Sequence, residues 1–117
     1  MESMVLYQRL VDFSEWLFPV VDRFPRREKF ALCTQIKNSA YALIRLSIRA
    51  QKSARDKHKS LHDLDVELQM LKFLLRHAHR SQYLDPRRYE SAGRRLMEIG
   101  KIVGGLIKAF SGKGIRP

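Results

Sequence analysis

Apolar residues recur along almost the whole chain at alternating spacings of three and four, the period of one helix face, and no run alternates in the manner of a strand. A first stripe joins Leu6, Leu10, Phe13, Leu17, Val20 and Phe24. It is interrupted by Pro19, which removes one backbone hydrogen bond and predicts a bend in the last turn or so. A second segment opens at Pro25, whose fixed φ suits a first helical position. It runs to about Ser53 over roughly 40 Å, with Leu32, Ile36, Ala40, Leu43, Ile44 and Ser47 on one face. The polar stretch Arg55 to Lys59 reads as a linker, and Ser60 with Asp63 as an S-x-x-D cap for the next helix. There Leu61, Leu64, Leu68, Leu71, Leu75 and Ala78 form the stripe, which ends near Tyr83. Asp85-Pro86 is the sharpest boundary, an N-cap acceptor followed by proline at the first helical position. Beyond it Ala92, Leu96, Ile99, Val103, Leu106 and Phe110 repeat at helical spacing until Gly112 and Gly114. The pattern predicts an all-α, antiparallel four-helix bundle over residues 1–111 and a flexible tail over 112–117.

Two departures from a simple bundle stand out. Val66, Met70 and Phe73 lie opposite the leucine stripe of the third segment, and one core buries only one face, so these three predict self-association. Gly93, Gly100 and Gly104 line one flank of the fourth segment. Each costs about 1 kcal/mol against alanine within a helix, so a close approach by a neighbouring backbone is expected there.

Composition narrows the class. The chain has 117 residues, with 23 Lys and Arg against 12 Asp and Glu and a net charge of +11. Residues 1–22 carry a net −3, so the remainder holds +14. Charge at that density is self-repulsive and implies an anionic partner. A lone cysteine, Cys33, excludes an internal disulfide framework, and no apolar run approaches the roughly 20 residues of a membrane span. With no leader pattern at the acidic start, a soluble, cytoplasmic protein is expected.

The cations form stripes. Arg87, Arg94, Lys101 and Lys108 recur every seven residues opposite the apolar face of the fourth segment. Arg45, Arg49 and Lys52 follow one another on the second, and Lys72, Arg76 and Arg80 run beside the core stripe of the third. Surfaces of one sign bind phosphate backbones through counterion release, which makes RNA or DNA the expected partner. No base-reading module is visible, and helical spacing favours packing over base stacking for Tyr41, Tyr83 and Tyr89.

Candidate chemistry is sparse. His58 and His62 have a spacing that suits a metal, but they fall at the expected linker without a third ligand, so no metal is expected. Asp63, Asp65 and Glu67 suit a helix N-terminus, and Gly112-Lys113-Gly114 lacks the earlier glycine of a phosphate loop. Cys33 lies on an apolar face and reads as a core residue. Neither an enzyme nor a cofactor is predicted.

Three strings carry a resemblance: Leu17-Phe18-Pro19 with Phe24-Pro25-Arg26-Arg27, Met70 to Arg76, and Ile99 to Gly104. From about Tyr7 to Phe110 the chain resembles the accessory variability determinant (Avd) proteins of diversity-generating retroelements. It shares the run Phe24-Pro25-Arg26-Arg27-Glu28-Lys29-Phe30 with the wider superfamily, which includes bundles encoded in ribosomal RNA intervening sequences. Those bundles continue with a Ser-x-Pro-x-Asn-Ile-Ala-Glu-Gly stretch, where this chain reads Leu46 to Lys52, and the departure favours the retroelement branch. The resemblance implies a non-enzymatic partner of an error-prone reverse transcriptase. Such a protein is a pentameric barrel of four-helix protomers that binds the enzyme and template RNA or cDNA, with Lys72, Arg76 and Lys101 among the binding cations. The alternative is a structural bundle of the intervening-sequence type without nucleic-acid binding. A membrane-surface role is disfavoured, because the basic stripes lie opposite faces needed for the core.

Overall fold

The computed structural model describes the backbone of residues 2–115 and the side chains of residues 4–110. Four helices, α1 (Glu2–Val21), α2 (Leu32–Lys52), α3 (Lys57–Arg80) and α4 (Pro86–Ile115), form the bundle, and no strand occurs among the described residues. Helix α1 packs on α2 and α4, and α3 packs on the same two, so the helices run up and down around a square. The molecule measures 53 × 24 × 19 Å. Its axis is filled by the expected stripes: Leu6, Leu10, Phe13 and Leu17, then Ile36, Ala40 and Leu43, then Leu61 to Ala78, then Ala92, Leu96, Ile99 and Val103 are all buried. Each leucine removed from water in this way contributes about 1.5–3 kcal/mol.

The helix boundaries differ from expectation in instructive ways. Helix α1 continues through Pro19 to Val21, and the Asp22 N–H donates to the Phe18 carbonyl at 2.9 Å beyond the proline. The carbonyl that Pro19 leaves without a helical donor is that of Glu15, an exposed residue, so water is at hand to satisfy it. Val21, not Val20, is the fully buried residue of this last turn.

Helix α2 begins at Leu32, one short 3-10 turn later than Pro25. Pro25 has extended backbone (ψ 143°) and only opens the turn Arg26–Glu28, for which no side chain supplies a cap. At 21 residues α2 is about 32 Å long rather than 40 Å.

Helix α3 starts three residues before Ser60, which is itself buried within the helix. The turn before it is organised by Ser53, whose Oγ accepts the Asp56 N–H at 3.2 Å and donates to Asp56 Oδ2 at 3.1 Å. Its other end is a Schellman motif: the Tyr83 N–H reaches the Ala78 carbonyl at 2.9 Å and the Gln82 N–H reaches that of His79 at 3.0 Å. Gln82 occupies the left-handed region there, with φ of 66°.

Helix α4 opens as expected. Asp85 Oδ1 accepts the Arg88 N–H at 2.9 Å, and Oδ2 is bound by the Arg88 guanidinium. The backbone N–H of Arg88 first, and then its side chain, hold the Asp85 carboxyl below the usual aspartate range. The helix does not stop at Gly112 but runs to Ile115; Arg116 and Pro117 of the expected tail lie outside the described residues. The expected close approach at the α4 glycines is absent within the protomer. A Cβ on Gly93 or Gly104 would meet nothing within 4 Å, and one on Gly100 would make ordinary contact with Leu68 at 3.7 Å.

Candidate nucleic-acid interface

The ten stripe cations separate onto two faces. On α4, Arg95 lies 4.7 Å above the Trp16 ring and Glu98 pairs with Arg9 at 3.1 Å, so this flank faces α1. The opposite flank, with Gly93, Met97 and Gly100, faces α3. Arg87, Arg94, Lys101 and Lys108 run along the outward edge of α4 between the two flanks, at about 100° of helical turn per residue, and Arg94 reaches the lining of the α3 side. On α3, Lys72 and Arg76 line the same groove, and Arg80 follows one turn later. The groove has a volume of about 750 Å³, with Phe73 and Met97 on its two helices and Tyr89 beside them.

Helix α2 turns its cations elsewhere. Ser39 donates to Glu67 of α3 at 2.7 Å, whereas Lys37 pairs with Asp22 at 2.6 Å and Tyr41 meets Phe18 of α1 edge-on at 5.3 Å. Arg45, Arg49 and Lys52 continue from Tyr41 at steps of four, four and three, which keeps them outward on the α1 side. Thus Lys72, Arg76 and Arg94 meet at the α3–α4 groove, Arg80 continues the α3 line and Arg87, Lys101 and Lys108 the outward edge of α4, while Arg45, Arg49 and Lys52 lie on α2.

Nine of these ten have no carboxylate within 4 Å among the described residues; Arg94 alone does, with Glu90 at 3.8 Å. Some cations elsewhere are paired closely, as Lys59 is with Asp63 at 2.8 Å. Such unquenched charge stores repulsion that an anionic ligand relieves.

The three apolar residues opposite the α3 core are exposed: Val66 at 70%, Met70 at 46% and Phe73 at 50%. Met97, across the groove and 57% exposed, extends the patch and escaped the sequence reading, since it stands alone on the polar side of its own helix. A second exposed set, Met4, Tyr41 and Ile48, lies on α1 and α2.

All three tyrosines make packing or hydrogen-bond contacts, Tyr41 with Phe18 as above. Tyr83 donates to Glu28 at 2.9 Å, and Tyr89 stacks on His79 at 4.3 Å between centroids. His58 and His62 sit in the first turns of α3 rather than a linker, with Nε2 atoms 3.2 Å apart, and no group of three or more His, Cys, Asp or Glu gathers among the described residues. Burial foremost pushes the Cys33 thiol up, and its Sγ donates to the Val21 carbonyl at 3.5 Å. Among the described residues no helix is long and apolar enough to cross a membrane. The sequence reading also missed Phe30. Assigned there to the interior of a second helix, it instead projects from the connection before α2.

No curated protein matches the chain. Among solved structures it is similar to a protein of unknown function from the S23 ribosomal protein family of Bacteroides thetaiotaomicron. The two share 22% identity over 92% of this chain and 99% of that one, with a TM-score of 0.82, a likeness of fold. A family model described as bAvd-like spans residues 4–110 and so takes in the whole buried core and both basic faces; the chain belongs to the bAvd-like family.

Proposed function

We propose that this chain is a non-enzymatic accessory protein of a diversity-generating retroelement, holding template RNA or cDNA and a reverse transcriptase together during mutagenic copying. The observation that carries this reading is the α3–α4 face, where Lys72 and Arg76 have no carboxylate within 4 Å and Arg94 has only Glu90, in a chain of the bAvd-like family. Arg87 to Lys108 span about 32 Å along α4, long enough to follow several successive phosphates. Binding of this kind is independent of sequence and weakens with salt, with a slope near −0.7 per phosphate on a single strand.

A ring of protomers belongs to the same proposal. Val66, Met70 and Phe73 on α3 and the unlike set Met4, Tyr41 and Ile48 on α1 and α2 are separate exposed patches. Contact between unlike patches is head-to-tail, and such contacts close into rings when the rotation divides the circle. A neighbour seated on the outer line of α3 leaves the outer edge of α4 open to phosphates. The number five comes from the resemblance to Avd proteins.

The test is co-purification of the protein with a reverse transcriptase encoded beside it, with and without that element's template RNA. Retention of both, with RNA held more tightly than by a charge-matched control protein at physiological salt, is the expected result. Retention of neither would leave a structural bundle.

A further inference from the structure

The connection between α1 and α2 presents the most exposed large apolar side chain among the described residues. Phe30 is 86% open to solvent, although it lies between the buried Phe24 and Leu32. An exposed phenyl ring loses hydrophobic stabilisation, and a mobile loop would let it fold back; this loop is held out. The Ala31 N–H bonds the Glu28 carbonyl at 3.1 Å, the Lys29 N–H bonds that of Arg26 at 3.0 Å, and Thr34 Oγ1 donates to the Lys29 carbonyl at 3.0 Å. The Glu28 carboxylate accepts the Tyr83 hydroxyl at 2.9 Å, tying the turn to the α3–α4 connection.

Beside the ring lies an open cavity of about 590 Å³ whose walls include Arg26, Lys29, Lys37 and Thr34. The Lys29 ammonium stands over one face of the Phe30 ring, 5.5 Å from its centroid, and at 86% exposure the ring still offers an open face to a base. The carboxylate lining the cavity, Asp22, is already paired with Lys37 at 2.6 Å, and Arg26 and Lys29 have no carboxylate within 4 Å among the described residues. A rigid aromatic face bordered by cations is the combination that takes unpaired nucleotides: the ring stacks on a base and the cations hold the flanking phosphates. A duplex offers its phosphates but keeps its base faces stacked inside, so the ring adds nothing to duplex binding.

We propose that Phe30, with Arg26 and Lys29, is a stacking platform for one unpaired base of a single-stranded nucleic acid. It would lie at the end of the bundle where α1 and α3 finish. This rests on the nucleic-acid reading above and adds to it a strandedness, a position and an aromatic contact that the basic stripes do not supply.

The test is fluorescence anisotropy with a labelled single-stranded RNA oligonucleotide and its duplex, at fixed moderate salt, using wild type, Phe30→Ala and Phe30→Trp. Base stacking on an aromatic residue is worth about 1–3 kcal/mol, so Phe30→Ala should weaken single-strand binding by about fivefold or more. Duplex affinity should be unchanged, and Phe30→Trp should restore single-strand binding, with its emission quenched by the oligonucleotide. Because the side chain is exposed, circular dichroism of the alanine variant should match wild type. Equal single-strand affinity for wild type and Phe30→Ala, or equal loss on single strand and duplex, would overturn the platform while leaving the general nucleic-acid reading standing. A change in sedimentation with unaltered strand affinity would overturn it too, and would assign Phe30 to a contact between copies. Wild type that binds no nucleic acid at all would remove both proposals.

Discussion

The two basic faces look alike on helical wheels and differ in what surrounds them. On the α1–α2 face, Arg45, Arg49 and Lys52 continue a line whose earlier members are already engaged, Lys37 by Asp22 at 2.6 Å and Tyr41 by Phe18. On the α3–α4 face, Lys72, Arg76 and Arg94 line an open groove that also exposes Phe73 and Met97, with Glu90 the carboxylate among them. The difference teaches that a charge stripe gains meaning from the helix next to it. A groove between two like-charged helices concentrates potential, whereas a single line of cations on a convex edge is screened within a Debye length of about 8 Å at physiological salt.

The comparison breaks most directly at α4. Reversing Arg94 and Lys101 together to glutamate should lower RNA affinity at least tenfold and flatten its salt dependence by about two phosphate contacts, with helical content unchanged. Anisotropy titrations at two or more salt concentrations measure both, and unaltered affinity would remove the α4 edge from the interface. Next in size, Phe73→Asp places a charge on the outer line of α3 and should dissociate the oligomer. Sedimentation velocity at micromolar concentration reads the shift, and a wild type that is already a monomer would end that idea. Reversal of Arg45 and Arg49 should cost less RNA affinity than the α4 pair; an equal loss would erase the distinction between the faces.

Two smaller changes at the bundle end serve as controls belonging to neither face. Asp85→Ala removes the N-cap of α4 and should lower the Tm without altering RNA affinity or sedimentation. The Asp85 carboxyl is held below its ordinary range, so its stabilisation is complete above the ordinary value of about 3.9 and fades as pH falls through the lowered one. The Tm gap between wild type and variant should therefore close in acid. Gln82→Gly should raise stability by about 0.5–1 kcal/mol by relieving the left-handed backbone, visible as a small rise in denaturation midpoint.

What the sequence revealed depended on whether the deciding neighbour was local. Asp85-Pro86 was legible because cap and proline are adjacent in the chain, and the leucine stripe of α3 because burial repeats with the helix itself. Pro25 misled because its predecessor is Phe24, which has no acceptor to cap a helix, so the proline opened only a short turn. Ser60 misled because a nearer pair, Ser53 and Asp56, had already built the turn. The division of the cations was not legible at all. A wheel orders residues around one helix, but Ser39 meeting Glu67, or Arg95 lying over Trp16, joins residues far apart in sequence. Phe30 stayed hidden for a related reason, since a helix assumed to start at Pro25 places it within a regular turn.

The burial of Cys33 has a practical consequence for all of these experiments. The residue is 8% exposed and burial pushes its thiol up, which lowers the thiolate fraction, so maleimide reagents should react with it slowly in the folded protein. The native chain therefore serves as its own blank: a single cysteine placed at exposed Ala54, in the connection between α2 and α3, would be the one position to take a dye. Counting photobleaching steps from single particles then reports how many subunits assemble, and energy transfer to a labelled oligonucleotide reports how near it lies to that connection.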